Sequence, residues 1–205
     1  YHGTLLDALK DYNNAVISLE KAYEMNKDRT EVLRQISSSY EGAEKYEEAI
    51  DAFNKYVATL PEEQKTPDLT FELGRLYYAE GTTADSVNYT PEMKKEALLQ
   101  ADSAFAKLAE LVPDNYLGNF WRARTNSALD PETTEGLAKP YYEQVAAMLE
   151  EKAKTEPRYN RTIIECYRYL GYYYLVTEDY EKSKEYWNKI LTIDPEDAIA
   201  TKALE

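Results

Sequence analysis

The sequence predicts an all-α fold built as a row of antiparallel helix pairs, and three observations carry that reading. First, a ladder of residue types recurs. Tyr167, Leu170, Gly171 and Tyr174 are followed by Ser183, Trp187, Ile190 and Pro195, and Leu33, Ile36, Ser37 and Tyr40 are followed by Ala49, Phe53, Tyr56 and Pro61. Both sets keep gaps of 12, 16, 19 and 24 residues from the small residue. Second, each half of the ladder has helical spacing: Ile164, Tyr167, Leu170, Gly171 and Tyr174 share one arc at about 100° per residue. Third, the breaks fall where helices must end. Leu60-Pro61 and Asp194-Pro195 stop helices because the residue before proline avoids the α region, and "GAEK" at 42–45 and "TED" at 177–179 are short turns. The run "CYRYLGYYYL" at 166–175, with its β-forming tyrosines, could be a strand or an aromatic platform; its register in the ladder makes it helical.

Taken in order, the chain is one array over 1–205. A partial copy spans about 1–28, with Gly3, Ala15, Leu19 and Ala22 in the ladder positions and Gly3 lying 34 residues before Ser37. The chain thus opens mid-repeat at Tyr1, without methionine or an apolar signal core, and reads as a trimmed or mature fragment whose compartment is open, cytoplasmic or exported. A full copy covers 30–63. In the next, 67–114, Thr70, Leu73, Gly74 and Tyr77 match Ala101, Phe105, Leu108 and Pro113 only if 15 extra residues sit between the two helices, near 80–91. Thr90-Pro91-Glu92 is a helix start, with a capping hydroxyl, a first-turn proline and an acid at the positive end of the dipole. The copy at 116–157 is degenerate. Ala123, Ala138, Tyr142 and Val145 fit, Asn119, Arg122 and Asn126 stand at apolar positions, and Pro140 belongs in a first turn. The last copy is 164–197, followed by a C-terminal helix at 197–205.

An aromatic, Leu-Gly and Tyr followed by Ala, Phe and Pro over about 34 residues resembles the tetratricopeptide repeat (TPR) family, with tyrosine in place of the usual tryptophan in "YRYLGYYY". The resemblance implies a right-handed superhelical solenoid whose first helices line a concave groove. Carried onto this chain, the groove residues are Arg34 and Ser38, then Phe71, Arg75 and Tyr78, then Phe120 and Arg124, then Arg168, Tyr169 and Tyr172. The chain has eight arginines, and four of them fall on this face. Guanidinium forks bind carboxylates and stack on rings, which points to a groove for a peptide or partner helix bearing carboxylates. The alternative is a solvated face on which Arg34 pairs with neighbouring glutamates and Arg75 with Glu72 or Asp68. The lysine, asparagine and arginine clamp by which some family members hold chaperone tails is not met by Arg34, Ser38 and Glu72 or by Arg168 and Tyr172.

Composition excludes several classes. With 24 basic against 38 acidic side chains, the formal charge is −14, which disfavours nucleic acid and anionic lipid. No stretch approaches the ~20 apolar residues of a membrane helix. His2 is the lone histidine and Cys166 the lone cysteine, so a nucleophilic triad or a metal cluster lacks its parts. Seven scattered glycines form no phosphate loop. The sequence therefore predicts a non-catalytic protein-interaction module without cofactor. Its alternative is an assembly segment that self-associates through terminal repeats.

Overall fold

The computed structural model describes residues 11–205, so Gly3 and His2 lie outside the described residues. Every regular element among the described residues is helical. The chain divides into two compact units, residues 1–104 and 105–205.

The first unit holds α1 (Tyr12–Met25), α2 (Glu31–Gly42), α3 (Tyr46–Thr59), α4 (Pro67–Thr83) and the start of α5 (Pro91–Leu111). Leu19 of α1, Val32, Leu33 and Ile36 of α2 and Ala52 of α3 form one apolar cluster, and Ala49, Ile50 and Phe53 of α3 form a second with Leu76 of α4. Each helix thus spends one face on the helix before it and another on the helix after it, as a helical repeat requires. Where α2 and α3 cross, the Ser37 hydroxyl donates to the carbonyl of Ala49 at 2.7 Å. The same crossing recurs in the second unit between α8 (Asn160–Val176) and α9 (Tyr180–Ile193), with the roles exchanged: the Ser183 hydroxyl donates to the Gly171 carbonyl at 2.8 Å. In the ladder Ser37 is the counterpart of Gly171, and Ala49 of Ser183. A single hydroxyl, placed on either helix, closes the notch.

The turns repeat as well. After α2 the backbone reverses at Glu44 (φ 59°), with the Lys45 N–H bonded to the Tyr40 carbonyl; after α8 it reverses at Glu178 (φ 63°), with the Asp179 N–H bonded to the Tyr174 carbonyl. These bonds use carbonyls that a helix end leaves without partners.

The extra residues near 80–91 are for the most part helix. α4 runs 17 residues and α5 runs 21, leaving a strap at 84–90. Asp85 folds the strap by accepting the Val87 and Asn88 N–H groups, and Thr90 caps α5 by accepting the Met93 N–H at 3.2 Å. The strap lies on the start of α3. The Tyr89 hydroxyl accepts the Tyr46 N–H at 2.9 Å, so a distant phenol satisfies a donor of the α3 first turn, and the Tyr46 hydroxyl meets Thr83 at 2.7 Å.

Beneath the strap Glu80 is 7% exposed. Burial, then the nearby Glu47 carboxylate, push its carboxyl up to about 7. A carboxyl raised in the folded state contributes stability that is full below its ordinary value and lost as pH rises through about 7. Glu80→Gln should therefore remove a loss on the order of 2 kcal/mol between pH 5 and pH 8. Urea denaturation of both proteins at the two pH values measures the difference, and equal slopes would refute it.

The second unit holds the end of α5, α6 (Leu117–Leu129), α7 (Lys139–Ala153), α8, α9 and α10 (Ala198–Leu204) around one large core. Pro140 sits in the first turn of α7, as expected. The degenerate copy has its own notch: a Cβ on Gly118 would lie 2.6 Å from the backbone nitrogen of Ala109, so α5 and α6 meet backbone to backbone. Asp130 accepts the N–H groups of Thr134, Glu135 and Gly136 and so shapes the turn into α7. Gly136 is left-handed there (φ 69°), and the Tyr173 ring occupies the place a side chain would take, so both backbone and space call for glycine.

The tyrosine run is the middle of α8. Tyr167 and Tyr169 are buried, Tyr174 lies parallel to Tyr186 of α9 at 5.7 Å, and Lys189 stands 5.4 and 5.3 Å from the Tyr167 and Tyr186 rings. Tyrosine suits such positions because its ring fills apolar space while its hydroxyl reaches a wet or polar edge.

Candidate functional site

The residues of the expected groove lie on α2 and α4 in the first unit and on α6 and α8 in the second. In the first unit both arginines bind carboxylates one repeat away. The Arg34 Nε and Nη2 donate to Glu72 at 3.2 and 2.5 Å, and the Arg75 guanidinium meets Glu41 at 2.8 and 2.9 Å. The two rungs tie α2 to α4. The hydrogen bonds that Arg34 donates to the Glu72 carboxylate hold its guanidinium above its usual value. Each rung is partly open to water, with Arg34 52% and Arg75 40% exposed, which limits its worth to about 1 kcal/mol or less.

Arg34 and Ser38 share a cavity of about 490 Å³ whose wall also includes Glu31, Gln35, Tyr56 and Glu72. Ser38 is exposed there, and the Arg34 guanidinium stands 6.0 Å from the Tyr56 ring centre. Phe71 and Tyr78 are half-buried on α4.

In the second unit Arg124 of α6 forks onto Glu165 of α8 at 2.7 and 2.6 Å while lying 4.4 Å over the Phe120 ring. Arg168 reaches Asp197, the cap of α10, whose other oxygen accepts the Ile199 and Ala200 N–H groups. Burial works to raise the Asp197 carboxyl, but the Ala200 N–H, Arg168 and the Ile199 N–H outweigh it and hold the group below the usual carboxylate range. Phe120 and Tyr169 belong to the core, where both rings contact Tyr142, at 6.5 and 4.6 Å. Tyr172, one turn beyond Arg168, is 43% exposed.

Cys166 is fully buried, and burial pushes its thiol far above the range of a reactive one. Among the described residues no group of histidine, cysteine or acidic side chains could hold a metal ion, and no helix is long and apolar enough to cross a membrane.

Sequence reasoning missed the ion partners. It weighed Glu72 and Asp68 as same-helix neighbours of Arg75, whereas the bond goes to Glu41 on the preceding first helix. The signal was present: Arg34 and Glu72 are 38 residues apart, Glu41 and Arg75 34, and Arg124 and Glu165 41. Opposite charges about one repeat apart fall side by side when helix pairs stack. Tyr56 and Tyr142, supplied by second helices, carried no such signal.

Paired helices joined by tight turns, notched at their crossings and laced by ion pairs from one first helix to the next, define a helical-repeat scaffold of the all-α solenoid class. Tetratricopeptide repeat models match residues 164–197 and 2–29. Among solved structures, the C-terminal part of a TPR repeat-containing protein from Cytophaga hutchinsonii shares 23% identity over 100% of this chain and 98% of that one, with a TM-score of 0.51. YrrB, described as a TPR protein with an unusual peptide-binding site, is 20% identical over 98% and 87% of the two chains (TM-score 0.59). MamA is 15% identical over 96% of each chain (TM-score 0.62). Among curated proteins no match is found. The chain thus carries tetratricopeptide repeats at 2–29 and 164–197 within a solenoid fold, and these repeats mark it as a protein-interaction module.

Proposed function

We propose that the first-helix face holds a peptide or partner helix and that the domain carries out no chemistry of its own. The observation that supports this reading is the cavity beside Arg34 and Ser38. An exposed hydroxyl, an amide, an aromatic ring and an ion pair there offer donors and acceptors to an extended backbone, at a place where two first helices leave space. The lone buried thiol offers no nucleophile. Capture of partner proteins from native extract by the full chain, compared with Arg75→Ala and Arg168→Ala, tests the groove. The variants should lose captured proteins by several-fold relative to the parent, and unchanged capture by both would count against it.

A second reading, self-association through terminal repeats, is favoured by the apolar exposure of Tyr172, Leu175 and Ile199, at 43, 42 and 55%. Light scattering over a range of concentration separates the two: a monomer at every concentration supports the groove, and mass growth abolished by Leu175→Glu supports assembly.

A further inference from the structure

We infer that the α2–α4 face of the first unit takes a cationic occupant, a lysine- or arginine-bearing stretch of a partner protein, in place of the carboxylate-bearing one that four groove arginines suggest. The inference rests on the groove reading above and adds the sign of what the groove holds.

Neither α2 nor α4 contains a lysine. Apart from Glu80, buried under the strap, their charged residues are Glu31, Glu41, Asp68 and Glu72 against Arg34 and Arg75. Both arginines are engaged in two-pronged contacts with Glu72 and Glu41. An incoming carboxylate must break such a contact and leave the displaced glutamate beside it, so attraction gained at one oxygen pair is lost at another.

A cation displaces nothing. Asp68 is exposed in the first turn of α4. Glu31 lines the cavity, with its carboxylate held at 3.1 Å by Arg29, itself 57% exposed and outside the helix. An arriving guanidinium or ammonium can take the free acceptor positions of Glu31, Asp68 and Glu72, since a carboxylate has about four. The Tyr56 wall adds a ring face of the kind cations settle on. Exposed Gln35 and Ser38 supply neutral partners for a peptide backbone. At longer range the formal charge of −14 draws cationic partners in and repels acidic ones.

The test measures fluorescence anisotropy of the full chain with three labelled peptides of equal length, alternating glycine with lysine, glutamate or glutamine, at low salt and at about 0.15 M. The lysine peptide should bind about tenfold or more tighter than the glutamate one. Glu31→Gln with Asp68→Asn should weaken it by about fivefold, while Glu47→Gln with Glu48→Gln, on α3 away from the groove, should change it by less than about twofold. Equal or tighter binding of the glutamate peptide, still sensitive to Arg34→Ala, overturns the sign and leaves the groove reading standing. Equal losses in the two double variants mean diffuse attraction to an acidic protein and overturn the inference. Binding of none of the three peptides overturns the groove reading along with it.

Discussion

Phe53→Ala should destabilise the first unit by about 3 to 5 kcal/mol, a large fraction of what holds a domain of this size together. Phe53 is fully buried and is the largest side chain of a cluster drawn from two helices, α3 and α4, with Tyr40 of α2 packed against it. Its neighbours Ala49, Ile50 and Leu76 are fixed by their own helices and cannot close on the space a benzyl group leaves. The cost therefore combines lost transfer energy with a residual cavity. Because a repeat contacts only its neighbours, hydrogen exchange should accelerate in α2, α3 and α4, while α8 and α9 keep their protection. A urea-derived loss under about 1 kcal/mol would mean that the ring is not the keystone of this cluster.

The second large effect is expected at Gly171. A Cβ there would lie 2.8 Å from Cε2 of Trp187 and 3.0 Å from its Nε1. The indole cannot swing away cheaply, because Nε1–H donates to the Ser183 hydroxyl at 3.1 Å and that hydroxyl donates back to the Gly171 carbonyl. Two forces compete on substitution by alanine. Helix propensity favours alanine over glycine by about 1 kcal/mol, and overpacking costs about 1 to 3 kcal/mol. The clash should win narrowly in Gly171→Ala and decisively in Gly171→Val, where a loss of about 3 kcal/mol or more is expected. Denaturation followed by tryptophan fluorescence reads both. A Gly171→Ala variant stabilised by the full propensity gain would show that the notch has room to spare.

The fold was legible because its signal is local and repeated. The gaps from Ser37 and Gly171 are the same because each repeat sets one small residue where its two helices cross, and the structure puts a serine hydroxyl at both crossings. The Pro140 first turn and the Thr90 cap were readable for the same reason, since they depend on a few adjacent residues. The 15 extra residues were visible as a count, but their division into two long helices and a strap was not. The strap's seat on α3, where Tyr89 meets the Tyr46 N–H 43 residues away, is a long-range contact that no local pattern announces.

For the groove, the sequence picked out residues by face, and face alone does not decide what a side chain touches. Phe120 and Tyr169 share the arc of Arg124 and Arg168, yet their rings turn onto Tyr142 and join the core. For Arg75 the sequence offered only same-helix carboxylates, Glu72 or Asp68, whereas its partner Glu41 lies on the preceding first helix.

By itself, then, the sequence determined the helix pairs, their turns and the small-residue crossings, because these are set by contacts within about one repeat. Only the tertiary structure decided what Arg34, Arg75 and Arg124 meet, because the carboxylate that holds each of them arrives from a different helix pair, and a guanidinium so held no longer presents an open positive surface.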